Sequence, residues 1–514
     1  MPKPAKNRQG RKRKAQGSTS AEETAAGNLA DVFQEDREKA SKSIIGFRFI
    51  KRRVQILTET KLTKENSSGI VYWMSRDARV QDNWAMLFAQ KLAIKNKVAL
   101  HVVFCLLPSF LDATLRHYKF LLAGLKEVSE ECSELNIHFH IVHGQDAIVA
   151  FVEEHNIGGV VCDFSPLDFA RKWVQDVRDG LPDDVPLCQV DAHNIVPVWV
   201  TSNKVEFSAR TIRKKVTMNL EEFLTPFPPV IAHPFKSDFS AEKISWNGLL
   251  KYLKVDKTVD EVDWATPGYK AALKVLQEFV DDRLERYADK RNDVNANAQS
   301  NLSPWFHFGQ ISVQRCVLYV EQFKRQFPES VAAFSEEAIV RRELAENFCF
   351  FSENQCSFEG LHNWAKTTLN AHRKDKREYL YTRKQFDDAE THDELWNAAQ
   401  IQMKQEGKMH GFMRMYWAKK ILEWTKSPEE AISFAIYLND RYNIDGRDPN
   451  GFVGILWSIG GLHDGPFMER KVYGKIRYMA LSGCKKKFNV KEYVERYVGE
   501  TQESPEVKKK RKRN

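Results

Sequence analysis

No stretch of the 514-residue sequence carries the run of about 18 apolar residues that a membrane-crossing helix requires, and the polar, basic start has no apolar core of the kind a secretory leader uses. Neither secretion nor membrane spanning is expected. The eight cysteines (Cys105, Cys132, Cys162, Cys188, Cys316, Cys349, Cys356 and Cys484) include no CxxC pair and no histidine at zinc spacing, which suits reduced thiols in an intracellular compartment. No internal repeat is found.

Hydrophobic residues make up 42% of the sequence and aromatics 11%, well above the composition of a disordered chain. A chain of this length points to two or three domains. The net charge of +9 is concentrated at the ends, in Arg11-Lys12-Arg13-Lys14 and Lys508-Lys509-Lys510-Arg511-Lys512-Arg513. Such runs serve as a nuclear import address or as a non-specific grip on phosphate, and nuclear targeting is the expectation here.

Residues 1–43 have almost no large apolar groups and read as a disordered basic leader, with order beginning near Ile44. Over residues 44–200, Gly69-Ile-Val-Tyr-Trp73, Val98 to Phe104, Ile137 to Val142 and Gly159-Val-Val-Cys162 read as buried strands. Residues 83–96, 115–135 and 146–155 between them read as helices. Strands spaced by crossover helices predict an α/β domain with a parallel, doubly wound, Rossmann-like sheet. Weak periodicity and the prolines Pro226, Pro228, Pro229 and Pro234 mark residues 201–262 as a long connector. From 263 to 495 the apolar spacing of three and four predicts an all-helical domain, and 496–514 reads as a basic tail.

Four segments are candidates for chemistry. The first is Asn297 to Trp305, where Ser303 can cap a helix that has Pro304 at its first position and the preceding polar loop suits an anion. In the second, Ser335 to Glu343, the residues Glu336, Glu337, Arg341 and Arg342 can pair at i,i+4 spacing. The plain reading of that segment is a salt-bridged surface helix; the sharper one is a carboxylate buried beside a reactive base. Trp396, Trp417 and Trp424 form the third set, the last two seven residues apart on one helix face. Tryptophans at helical spacing are more often core than redox machinery. The fourth, Tyr437 to Asp464, interleaves Asp, Asn and Gly ahead of an apolar, glycine-flanked Trp457, more than a turn requires and well suited to a heterocyclic ligand.

Taken together, Val71-Tyr-Trp-Met-Ser-Arg-Asp-Ala-Arg79 with Gln81-Asp-Asn-Trp84, Gly411 to Trp424, and Asp445-Gly-Arg-Asp-Pro-Asn-Gly451 resemble the class II cyclobutane pyrimidine dimer photolyases of the photolyase/cryptochrome family, from about residue 45 to 490. The resemblance implies a helical FAD-binding domain, with Tyr287 and the loop Gln299, Ser300, Asn301, Leu302 and Ser303 on the phosphate side of the cofactor. It implies an Arg414–Asp445 ion pair over the isoalloxazine and Asn439 facing its N5. It also implies light-driven electron transfer from reduced FAD to a dimer flipped out of double-stranded DNA, with no net redox change. Glu337 would bind the dimer's base edge, Trp457 would wall it, Met415 would contact it from below and Arg341 would sit on the rim. Trp417, Trp396 and Trp424 would carry electrons to FAD in that order outward, with Tyr381 and Tyr416 beside them. An antenna chromophore, a deazaflavin or a folate, is left open, and a monomer is expected. Two rival readings are a cryptochrome-type light sensor without repair and a non-catalytic nucleic-acid binder driven by the basic tails.

Overall fold

The computed structural model of the protein describes residues 19–144 and 146–501. Six strands make one sheet: β1 (Val54–Ile56), β2 (Gly69–Met74), β3 (Ala99–Leu106), β4 (His138–His143), β5 (Ile157–Asp163) and β6 (Leu187–Val190). Their spatial order is β1-β6-β5-β2-β3-β4, and all pairs are parallel except β1 with β6. Every residue of β2 and β5 is buried, as a sheet covered by helices on both faces requires. The crossover helix Trp84–Asn96 starts where the sequence reading put it, because the Asn83 side chain accepts the backbone N–H groups of Ala85 and Met86. Neither β1 nor β6 was foreseen, since strands of three and four residues are too short to show a period of two.

The expectation of disorder up to residue 43 is corrected from residue 19 onward, residues 1–18 lying outside the described part. Thr19–Ala40 is a helix that packs on the helix Tyr269–Glu278. Leu29 and Phe33 are buried, Phe33 meets Tyr319 edge-on at 5.5 Å, and Arg37 is paired with Asp82. This apolar stripe is too thin to order an isolated helix, and its stability comes from tertiary docking, which composition does not display. The basic runs Arg11–Lys14 and Lys508–Arg513 lie outside the described residues.

The stretch read as a connector is also partly helical. Ala209–Phe223 buries Ile212, Val216 and Phe223 on one face and starts in a capping box between Ser208 and Thr211. Trp246–Tyr252 forms a second, shorter helix. Beyond residue 263 the chain is helical, with two π-helical turns, Phe279–Arg283 and Glu336–Arg341. The helix Val490–Thr501 carries regular structure past residue 495. No helix among the described residues is long and apolar enough to cross a membrane.

Candidate active site

Four helices, Glu394–Glu406, Gly411–Glu423, Pro428–Tyr442 and Pro449–Gly460, frame the site. Pro428–Tyr442 ends at Asn443, and the short link to Pro449–Gly460 presents Asp445. Arg414 sits in the first turn of Gly411–Glu423, and its guanidinium donates to both carboxylate oxygens of Asp445, at 2.8 and 3.1 Å. It also reaches Asn443 Oδ1 at 3.3 Å and the Met409 carbonyl at 3.0 Å. Burial alone would raise the Asp445 carboxyl, but Arg414 and the Ser303 hydroxyl outweigh it and hold it below the usual carboxylate range.

Asn443 then passes the order onward. Its amide donates to Asn439 Oδ1 at 2.9 Å, and Asn439 in turn donates to Asp440 at 2.8 Å. Gly451 faces this amide: a Cβ there would stand 3.0 Å from Asn439 Nδ2. Glycine therefore keeps the space beside Asn439 open.

The loop Gln299–Ser303 lies across from the clamp. Gln299 Nε2 approaches the start of the Gly411 helix, and Lys408 Nζ donates to Asn301 Oδ1 at 2.8 Å. Asn301 adopts a left-handed φ of 61°, tolerable for asparagine, while Leu302 is buried beneath the loop. Ser303 does not cap a helix, contrary to expectation. It is the first residue of the short helix Ser303–His307, and its hydroxyl serves Asp445 instead.

Lys408 was not singled out from the sequence, although it begins the segment that carries Arg414 and Trp417. Its ammonium is pushed down to about 7, by burial first; Asp445 opposes this, and Arg414 and Arg283 reinforce it. Three cations thus converge with one carboxylate among them, a donor set that fits a diphosphate next to a heterocycle. These residues fit FAD, whose diphosphate would be held by Lys408, Arg283 and the 299–303 loop. Losing one charge-assisted hydrogen bond costs about 1.5–3 kcal/mol, so Lys408→Met is expected to weaken flavin binding roughly ten- to a hundredfold. Equilibrium flavin-fluorescence titration checks this.

The tryptophans form a continuous path, stacked at its first contact and edge-on at its second. Trp396 and Trp417 lie nearly parallel with ring centroids 6.3 Å apart, and Trp396 and Trp424 are 6.2 Å apart. Trp396 Nε1 donates to the Trp417 carbonyl at 3.0 Å, and Trp417 Nε1 to Gln400 at 2.9 Å. All three are buried, and the order Trp417, Trp396, Trp424 runs from the Arg414 helix toward Tyr381. Tyr416 donates its hydroxyl to Asp393, the residue whose side chain also caps the backbone N–H of Trp396.

Glu337 and Arg341 do not pair at i,i+4 as expected. The π turn Glu336–Arg341 adds a residue, so Arg341 meets Glu336 at i,i+5, 3.2 Å away, and Glu337 turns instead to Arg291 at 2.6 Å. Such turns often mark functional positions, because they re-aim side chains. In the protein alone, Glu337 is open to solvent and stands with Arg291 over Tyr287, so the segment follows the plain, salt-bridged surface reading and not the one with a buried carboxylate. Burial, with Glu337 adding to it, pushes the Tyr287 hydroxyl up to about 12. Arg291 was missed because its partner lies 46 residues away. Met415 and Trp457 are half-buried on the packed pair Gly411–Glu423 and Pro449–Gly460, where the Lys419 ammonium lies 6.0 Å from the Trp457 ring.

A second cavity, of about 210 Å³, opens at the C-terminal ends of β2, β3 and β5. Trp73, Phe104, Phe110, Tyr118 and Trp173 line it, and Arg447 with Asp448 close it from the helical side.

A parallel sheet joined to a helical flavin-type cleft defines the photolyase/cryptochrome class. A solved bacterial class III photolyase from Agrobacterium tumefaciens shares this fold, with a TM-score of 0.65 at 19% identity over 85% of this chain and 88% of that one. The sequence pattern of the DNA photolyase family matches residues 70–232. The deoxyribodipyrimidine photo-lyase of Potorous tridactylus is 56% identical over 477 residues, 92% of this chain and 90% of the relative. That of Arabidopsis thaliana is 45% identical over 83% of this chain and 88% of the relative. The chain belongs to the DNA photolyase family.

Proposed function

We propose that the protein repairs cyclobutane pyrimidine dimers in DNA with light, in the manner of the class II enzymes. The observation that carries this is the Asp445–Arg414–Asn443–Asn439 chain of contacts beside the Trp417–Trp396–Trp424 path, in a chain that resembles photo-lyases over most of its length. Bound in reduced form, FAD supplies a photoexcited electron to the dimer and takes it back once the ring has split.

The residues do the rest. Arg414 and Asp445 would hold an ion pair beside the flavin ring, Asn439 would hold the ring's polar edge, and Lys408 with the 299–303 loop would bind phosphate. Glu337 leaves Arg291 to accept the base edge of a dimer flipped out of the duplex, with Trp457 and Met415 as its wall and floor and Arg341 on the rim. The exposed Phe467 and Met468, with Arg477 over the Phe467 ring at 5.5 Å, suit contact with duplex beside the opened step. The aromatic cavity at the sheet edge suits a flat antenna chromophore, a deazaflavin or a folate. The protein acts as a monomer, and its terminal basic runs address it to the nucleus; sedimentation and localisation of run-deleted chains test these two points.

The decisive experiment is repair of a thymine-dimer oligonucleotide by the flavin-loaded, chemically reduced protein. Restoration under blue light and none in darkness is the expected result. Flavin retained without repair would favour the light-sensor reading.

A further inference from the structure

Beyond the tryptophan stack lies a second aromatic group whose contacts are not those of packing alone. Tyr381 meets Trp424 edge-on with ring centroids 5.8 Å apart, and its backbone N–H donates to the Trp424 carbonyl at 3.1 Å. Its hydroxyl lies 2.7 Å from His392 Nδ1, and the backbone N–H of His392 donates to the same oxygen at 3.0 Å. That N–H takes one acceptor position on the phenol oxygen, which leaves the phenol proton free to point to Nδ1 in the tautomer that carries the imidazole proton on Nε2. Tyr379 stacks on the imidazole at 3.6 Å, and the Trp424 ring stands 4.8 Å away on another side.

Exposure changes sharply across this group. Trp424 is 3% exposed, so a hole arriving there faces no water, whereas His392 is open to solvent. Oxidation of a phenol requires its proton to leave, and a base within hydrogen-bond reach of that proton is what the geometry supplies. Tyr416, the other tyrosine beside the stack, is fully buried, and its hydroxyl is committed to Asp393.

We infer that Tyr381 and His392 form a proton-coupled electron donor at the outer end of the tryptophan path, an inference that rests on the electron-carrying role proposed for the three tryptophans. Photo-oxidised Trp424, a radical cation, takes one electron from Tyr381. The Tyr381 O–H bond breaks as an N–H bond forms at His392 Nδ1. Neutral Trp424, a neutral Tyr381 radical and an imidazolium result, and charge and atoms balance. The imidazolium releases its proton to solvent, and the returning electron must then recover a proton, so recombination is slowed.

Flash absorption of the holoenzyme with oxidised flavin, in H2O and in D2O, tests this. The expected result is a tyrosyl radical that grows in as the tryptophan radical decays, more slowly in D2O. The tyrosyl signal should be lost in Tyr381→Phe and in His392→Phe, and free imidazole should restore it in His392→Ala. An undiminished tyrosyl signal in His392→Phe, or a growth rate equal in the two solvents, would overturn the inference while leaving the tryptophan path standing. Absence of any tryptophan oxidation would overturn both.

Discussion

Alanine in place of Asp82 should leave the protein largely unfolded at physiological temperature. Asp82 is 1% exposed and holds two buried guanidiniums at once. Arg37 donates to it at 3.0 and 2.9 Å, and Arg315 at 3.1 and 2.8 Å, each through two nitrogens. One carboxylate thus ties the helix Thr19–Ala40, the loop ahead of Trp84–Asn96 and the helix Val313–Glu321 into a single node. Removing one partner of a buried ion pair costs about 3–5 kcal/mol, chiefly because a desolvated charge loses its counter-charge; here two guanidiniums lose it, Arg37 keeping Tyr269 and Gln34 and Arg315 keeping the more exposed Asp36. Against a total stability of about 5–15 kcal/mol, that is most of what a domain has. Denaturant melts followed by circular dichroism measure it; a midpoint shift no larger than that of a surface Asp→Ala control would sink the argument.

The same node predicts a direction with pH. Burial by itself raises the Asp82 carboxyl, and Arg315 and then Arg37 more than reverse this, so its folded value lies below the ordinary carboxylate range. A depressed folded value means that the stabilisation is fully present above the unfolded value near ~3.9 and is lost as pH falls through the folded one. Wild type should therefore lose stability below pH ~4, and Asp82→Asn, if it folds, should lose less over that window.

Arg37 shows why part of this architecture escaped the sequence. Nothing within the segment Thr19–Ala40 signals that one of its arginines closes on a carboxylate 45 residues away. Its apolar stripe is narrow, and an amphipathic reading weighs local pattern alone. The strands β2, β3 and β5 were legible for the opposite reason: parallel strands buried on both faces read as continuous apolar runs, whereas the edge strand β4 was legible from its apolar residues after the turn at Asn136. At the site, the run Tyr437 to Asp464 could be singled out because its density of Asp, Asn and Gly has no cheap explanation as a turn, whereas the pairing of Arg414 with Asp445 came from the family resemblance. Their link through Asn443 could not be read, since it depends on which of several amides the helix end turns inward. The Glu336–Arg341 segment is the sharpest case. Its charges were visible, but one extra residue in the turn moved each to a different partner, and the period of an α-helix cannot announce its own interruption.

Phenylalanine in place of Trp396 should separate the two photochemical capacities of the protein. Trp396 stands between its neighbours, 6.3 Å from Trp417 and 6.2 Å from Trp424, and no other ring contact joins those two directly among the described residues. Phe keeps most of the buried aromatic surface, so the structural cost is the loss of the Nε1–H bond to the Trp417 carbonyl, about 1 kcal/mol. What goes with the indole is an oxidisable ring at the middle of the path. Photoreduction of bound flavin by external donors is therefore expected to slow by about tenfold or more, equivalent to at least ~1.4 kcal/mol in the barrier. Repair by protein whose flavin has been reduced chemically beforehand should persist near the wild-type level, because the dimer receives its electron without using this path. Both are read on one preparation, by steady-state photoreduction and by dimer-splitting yield. Equal photoreduction in variant and wild type would remove Trp396 from the path, whereas parallel loss of both capacities would mean that the substitution had disturbed the cleft itself through the Glu394–Glu406 helix, which carries Trp396 and Gln400. The two capacities depend on different contacts in one fold: the path runs from Trp417 through Trp396 to the buried Trp424, while Arg414, three residues before Trp417 on the same helix, pairs with Asp445.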